Sequence, residues 1–266
     1  MIVHLHASCW NEERMLPFFF RHYDALADRY FIYDNQSTDR SISILSSHPK
    51  VTVLPFVLDG ESLVESSITQ MNQVWKQSRG QADWVGVCNI DELFWHIDIL
   101  WYLRQCRRRG ITFLGSIGYQ MVSERFPDFG ENLPKSYRFG VRDRGFDKPS
   151  FFNPDAIEAS GFSAGRHRYD PTGHVKRAEV DEILLLHYKY IGFDYVLKRH
   201  AELNSRRRAL DVKRRYGHHY GPAQTEEAFK KLFAAGNEVV PGQQNIMARM
   251  RRRWLGRSVC AAERAA

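Results

Sequence analysis

An apolar run, Trp84-Val85-Gly86-Val87-Cys88, delivers Asn89, Asp91 and Glu92 at its carboxyl end. On an extended chain alternate side chains point the same way, so Asn89 and Asp91 are expected side by side, two oxygen ligands facing a divalent cation of the kind that bridges phosphate groups. An acid at a strand end also serves as a turn or helix-cap residue, and an Asn-x-Asp alone does not decide between these roles. Its company weighs for chemistry: Asn11-Glu12-Glu13 follows one strand-like segment, and Asp34-Asn35-Gln36-Ser37-Thr38-Asp39 follows another.

The elements that must position these loops alternate regularly. Ile2 to Ala7, Tyr30 to Tyr33, Val51 to Phe56 and Trp84 to Cys88 read as strands. Between them, Met15 to Ala27 has helical spacing with Pro17 in the tolerated first turn, and Leu63 to Gln77 is helical up to Gly80. Strand-helix-strand order predicts an α/β fold with a mainly parallel sheet flanked by helices. Ligands of such sheets bind beyond the carboxyl ends of the strands, so the three polar loops are expected to share one cleft. Further on, Ile111 to Tyr119 reads as a strand, and Val122 to Pro154 as loops and short strands. Ile183 to Tyr190 is a last strand carrying His187, and Phe193 to Leu210 is a helix. The expected organisation is one domain over residues 1–210, then a basic helical extension over 211–266 whose tail from Pro241 is partly disordered.

The chain has 266 residues, 43% hydrophobic and 13% aromatic, far from the composition of chains that cannot offset their ordering entropy. Its formal net charge of +7 points to an anionic partner. The tight basic clusters, Arg107 to Arg109, Arg206 to Arg208, Lys213 to Arg215 and Arg251 to Arg253, lie mostly in the C-terminal third, and no zinc-finger spacing, RNP-like aromatic motif or heptad zipper accompanies them. Nucleic acid is therefore not the expected partner. Cys9, Cys88, Cys106 and Cys260 show no CxxC or zinc-ligand spacing and read as reduced thiols. The polar start and the lack of any apolar run of about 18 residues predict a cytoplasmic protein with no membrane span.

Taken together, these pieces resemble the family-2-like glycosyltransferases of the GT-A fold, in the branch with a DxDEF-type motif. The matching segments are Asn11-Glu12, Tyr33 to Asp39, Asn89-Ile90-Asp91-Glu92-Leu93-Phe94 and Leu185-Leu186-His187-Tyr188-Lys189-Tyr190, in order over roughly residues 1–210. The resemblance implies a nucleotide-sugar donor, an Mn²⁺ or Mg²⁺ cofactor and inversion at the anomeric carbon. It makes Asp91 the principal metal ligand and His187 a third ligand. Asp34 becomes a base or ribose contact in a donor site that also includes Asn11, Glu12, Asn35, Asp39 and Glu92. Asn89 departs from the usual Asp, and an amide ligates a hard cation without bringing charge. Lys148 and the stretch Gly165-Arg166-His167-Arg168 resemble a basic element expected to clamp the diphosphate. Glu124, Asp128 and Glu131 are open alternatives for the base that takes the acceptor's proton. The acceptor is expected to be a glycan or a lipid-linked saccharide. The basic region from Arg206 through Arg253, with Trp254, is expected to attach the protein peripherally to the inner face of an anionic membrane. Two competing readings are a nucleotidyltransferase, which would carry a Gly-rich phosphate loop where this chain has Cys9-Trp10-Asn11-Glu12-Glu13, and a non-enzymatic protein binding nucleic acid or an anionic surface.

Overall fold

A computed structural model of the chain describes residues 1–240. Arg251, Arg252, Arg253 and Trp254, and the tail expected from Pro241, lie outside the described residues. The first strand, β1 (Val3–Cys9), is buried at every residue but Ser8. After it, α1 (Leu16–Tyr23) places Pro17 in its first turn and buries Leu16, Phe18, Phe19, Phe20 and Tyr23 against the sheet. β2 (Arg29–Asp34) pairs in parallel with β1, and after α2 (Ser41–Ser47), β3 (Val51–Pro55) adds a parallel edge.

α3 (Leu63–Met71) is shorter than its pattern predicts. The side chain of Asn72 donates to the carbonyls of Ile68 and Phe162, both at 2.9 Å, and accepts from the Phe162 amide at 2.8 Å. A side chain that offers the backbone other partners ends a helix, and a single 3₁₀ stretch (Val74–Ser78) follows. β4 (Trp84–Asn89) then runs parallel to β1 on its other side. A Cβ at Gly86 would stand 2.6 Å from Leu5 Cδ2 and 3.1 Å from the Phe151 ring, so a larger residue here would have to shift these two buried side chains.

At Ile90 and Asp91 the chain turns, and β5 (Glu92–Trp95) leaves the first sheet for a second one. α4 (Ile99–Arg108) follows, capped by Asp98. The expected strand at Ile111 to Tyr119 is two strands, β6 (Phe113–Gly115) in the first sheet and β7 (Ile117–Ser123) in the second. The chain crosses between sheets at Ser116, whose hydroxyl donates to the Lys148 carbonyl at 2.7 Å. The irregular stretch holds α5 (Leu133–Ser136), β8 (Phe139–Arg142) and β9 (Pro149–Phe152), and a small ribbon pairs β10 (Ile157–Ala159) with β11 (Thr172–Gly173).

β12 (Leu184–Ile191) leads into α6 (Phe193–Ser205), α7 (Ala209–Lys213), α8 (Pro222–Ala235) and β13 (Asn237–Glu238). The first sheet has the order β3-β2-β1-β4-β9-β6, with β9 antiparallel to both neighbours; the second has the order β13-β8-β7-β12-β5. The fold is thus mixed α/β with a largely parallel central sheet, as the alternation of elements predicts. The helix expected to continue to Leu210 ends at Ser205. Residues after 210 return to the body: Asp211 accepts from the Ser62 hydroxyl at 2.5 Å and from the amides of Leu63 and Arg208 at 3.1 Å, and Phe229 of α8 packs with Val122, Tyr190 and Val196.

Burial keeps several imidazoles neutral, His6 and His200 most strongly. His6, stacked on Phe31 and bonded to Tyr33 and Ser78, is pushed down to about 3 by burial and by neighbouring His4; His200 is pushed to about 3 by burial and by Lys189. An unfolded imidazole titrates near 6.5, so below that value the unfolded chain binds more protons and stability falls as pH drops. Urea unfolding midpoints should decline from neutral pH to about pH 5, the His6 contribution approaching about 1.4 kcal/mol per pH unit once the pH is well below 6.5. The decline should be shallower in a His6→Gln variant, and an equal slope would contradict the assignment.

Candidate active site

The carboxyl ends of β1, β2 and β4 open into a cleft of about 440 Å³, closed on its far side by β12, α6 and the turn at Gly165. Among the residues singled out from sequence, Glu12, Asn35, Asn89, Asp91, Glu92 and His187 line it, together with Lys148, Arg166 and His167.

Its base is a buried ion cluster. Glu92 has no exposed surface; Lys148 Nζ donates to its Oε1 at 2.6 Å and Arg166 to its Oε2 at 2.7 Å, and both cations are buried. Burial alone would raise the Glu92 carboxyl, but the charges of Lys148 and Arg166 pull it far below the usual carboxylate range. Arg166 sits in the left-handed region at φ +60°, a conformation of about 1–3 kcal/mol for a non-glycine residue that persists only where surroundings impose it. Lys148 and Arg166, expected to clamp a diphosphate, are therefore engaged within the protein. The expectation for Asn89 changes for the same reason. Residues 90 and 91 turn instead of continuing the strand, and Asn89, though it lines the cleft with Asp91, is engaged by the ion cluster: its amide and backbone N–H both donate to Glu92 at 3.1 Å, and its oxygen accepts from Arg166 at 3.3 Å.

Asp91 and His187 do come together. β12 pairs with β5 so that His187 faces Glu92, and His187 Nε2 lies 3.2 Å from Asp91 Oδ2. Burial pushes the Asp91 carboxyl up, and the His187 ring, by charge and hydrogen bond, reverses this and holds it below its ordinary value. Asp91, Glu92 and His187 present ligand atoms within 4.8 Å of one another. Since the Glu92 oxygens are occupied by two cations, the donors that fit a divalent ion are Asp91 and His187. One or two protein ligands with the remaining positions left to substrate oxygens and water is a common arrangement for Mg²⁺.

The cleft lining also carries cations that sequence reasoning did not assign to the site. Lys189 Nζ lies 3.1 Å from the Tyr220 hydroxyl and 4.4 Å from its ring centroid. Arg206 stacks on Trp10 at 3.9 Å and donates to the Asn35 carbonyl at 3.3 Å. Among the described residues neither has a carboxylate within ion-pair distance, whereas Arg199, also against Trp10, is paired with Glu12 at 2.5 Å. A signal for them existed: Lys189 is two residues beyond His187, and Arg199, Leu203 and Arg206 recur at the i, i+4, i+7 spacing of one helix face.

Asp34, Asn11 and Asp39 stand behind the cleft lining. Asp34 Oδ2 accepts from the Ser37 amide at 3.1 Å, while its buried Oδ1 has no partner among the described residues. Asn11 accepts from the Thr38 amide at 2.7 Å and Asp39 from those of Glu13 and Ser41, so both lash the first loop to the second. Phe56, Leu63 and Val64 form the apolar end of the cleft next to Asn35. Glu124, Asp128 and Glu131 do not reach it: the first two are exposed, and Glu131 is held by Arg125 and by the Tyr137 hydroxyl. They follow β7 at the end where Gly192 packs on Phe126, outside the cleft lining.

No protein-family model matches the chain, and no curated protein matches it in sequence. Among solved structures it is similar to S. aureus TarS in complex with UDP-GlcNAc, with a TM-score of 0.39 and 9% identity over 76% of this chain and 65% of that one. It is also similar to S. aureus TarS in complex with UDP, at TM-score 0.33 and 10% identity, covering 47% and 36%. A third is glucosyl-3-phosphoglycerate synthase from Mycobacterium tuberculosis in complex with Mn²⁺, UDP and phosphoglyceric acid, at TM-score 0.31 and 19% identity, covering 44% and 43%. The chain spans less than two thirds of the length of each of these proteins. Likenesses of this extent assign neither fold nor activity, which rest on the strand order and the site geometry.

Removing one partner of a buried ion cluster strands the others. Glu92→Gln should lower stability by about 3 kcal/mol in urea unfolding. A loss under about 1 kcal/mol, the scale of exposed pairs, would show that Lys148 and Arg166 have other partners.

Proposed function

We propose that the chain is a glycosyltransferase that moves a sugar from a nucleoside-diphosphate donor to an acceptor hydroxyl. The observation that carries this is the complementary need within one cleft. Asp91 and His187 bring a carboxylate oxygen and an imidazole nitrogen within 3.2 Å at the cleft, two ligands for a cation that displaces the ring proton between them, and among the described residues Lys189 and Arg206 line the same space without carboxylate partners, which suits an anion. A metal–diphosphate meets both needs. The sugar is supported by the sequence resemblance, the nucleoside by the apolar end at Phe56, Leu63 and Val64 beside the unpartnered Asp34 oxygen.

A divalent cation, Mn²⁺ or Mg²⁺, held by Asp91 and His187 would stabilise charge on the leaving diphosphate. Lys189 and Arg206 bind its phosphate oxygens, Arg206 kept rigid by stacking on Trp10. Lys148 and Arg166 act indirectly, fixing Glu92 and through it the turn that presents Asp91. A glycan or lipid-linked acceptor and inversion at the anomeric carbon complete the proposal. So does peripheral attachment to an anionic membrane, although Arg206, Arg208 and Arg214 of that basic region bond to Asn35, Gly60 and Glu65. Among the described residues no helix is long and apolar enough to cross a membrane.

A panel of nucleotide-sugars tested for thermal stabilisation with and without Mn²⁺ decides the donor class; a true donor at 100 times its Kd adds about 2.7 kcal/mol. In the same assay Asp91→Ala should lose the Mn²⁺-dependent part and abolish transfer, and Asp34→Ala should weaken the nucleotide with or without Mn²⁺. No stabilisation by any member of the panel would sink the proposal. Lys189→Met and Arg206→Gln should each weaken UDP by about 1.5–3 kcal/mol, the range for hydrogen bonds to charged groups, and leave uridine unaffected. Equal losses for UDP and uridine in calorimetry would place these cations elsewhere than on phosphate.

A further inference from the structure

His187 faces two groups, and one of them settles where its proton lies. In the parallel pairing of β7 with β12, Gln120 is the direct partner of His187, and its Oε1 stands 2.7 Å from His187 Nδ1. The Gln120 amide can point either end at the ring, but its other end lies 3.0 Å from Asp143 Oδ2. A carboxylate oxygen accepts hydrogen bonds, so the end toward Asp143 is the NH₂ and the end toward His187 is the carbonyl oxygen. Asp143 is itself fixed at the close of β8, accepting the Gly145 amide on Oδ1 at 2.9 Å. The ring plane is set by Phe146, stacked on His187 at 4.4 Å and 22°.

We propose that Asp143 and Gln120 form a tautomer lock, positioning residues that hold the His187 proton on Nδ1 and present the Nε2 electron pair to a cation shared with Asp91. The inference rests on the cation site proposed above and adds two residues to it. The order is carboxylate, amide, imidazole, cation. It places an uncharged amide where metal sites more often use a carboxylate or backbone carbonyl behind the histidine. An amide has no preference of its own between its two ends, and so this arrangement needs Asp143 as an arbiter. With Nδ1 protonated, the Nε2 side, 3.2 Å from the carboxylate oxygen, is satisfied either by a second ring proton or by a cation between the two.

The lock is read first on the full-length protein without metal. Nitrogen-15 NMR of histidine-labelled protein should show the His187 Nδ1 protonated, and Nε2 unprotonated once Mg²⁺ and UDP are added, the signals being assigned by their loss in His187→Gln. An unprotonated Nδ1 overturns the proposal. The second reading is Mn²⁺ affinity by calorimetry in the presence of UDP. Gln120→Leu, which removes the acceptor but keeps the volume, should weaken Mn²⁺ about 10- to 100-fold, and Gln120→Glu combined with Asp143→Asn, which restores an acceptor toward Nδ1 without setting two carboxylates 3.0 Å apart, should recover most of it. Unchanged affinity in Gln120→Leu overturns the proposal, and so does equal loss in both variants, the mark of a merely structural residue. A wild-type protein that binds no Mn²⁺ but shows the Nδ1–H tautomer would refute the cation reading and support the lock.

Discussion

Everything at the candidate site depends on the burial of one carboxylate. Glu92 is wholly enclosed, and a lone carboxylate in such a place would neutralise itself or unfold its surroundings. It is kept charged by Lys148, from the stretch leading into β9, and Arg166, from the turn after β10, and it is further bonded by the end of β4 through Asn89. Three segments far apart in the chain are thereby tied to the point where the two sheets meet. The constraint is costly to break because each member would leave the others uncompensated.

The functional groups are consequences of that anchor. With Glu92 held at the start of β5, residues 90 and 91 must turn, and Asp91 is set at the rim of the cleft facing β12. The antiparallel pairing of β5 with β12 brings His187 opposite Glu92, and the parallel pairing of β12 with β7 brings Gln120 alongside. The cations divide into two groups by the same logic. Lys148 and Arg166 are consumed in the floor, Arg199 is consumed by Glu12, and Lys189 and Arg206 are left facing the cavity. A site with paired cations below and unpaired ones above binds an anion without first having to break an internal ion pair.

The amino-acid sequence by itself determined the order of the elements and the meeting of the loops. The alternation of strand and helix patterns from Ile2 to Cys88 implies parallel pairing, and parallel pairing puts Glu12, Asn35 and Asp91 at one end of the sheet. It also showed His187 as an imidazole in an apolar strand, while its part as a ligand is what the family resemblance implies. These features are local periodicities, and periodicity is written in the chain.

Only the tertiary structure decided which charged groups neutralise one another. Asn89-x-Asp91 read as an extended pair because nothing local announces the turn at Ile90; the turn is imposed by Glu92 and its distant cations. Lys148 and Arg166 could not be told from Lys189 and Arg206 by composition or spacing, since free and spent cations differ in what lies opposite them across the fold. The break in α3 at Asn72 has its cause at Phe162, and the two sheets that divide residues 111–123 are distinguished by a crossing at Ser116. In each case the deciding partner is tens of residues away, and a charge or hydrogen bond between such partners leaves no periodic trace in the sequence.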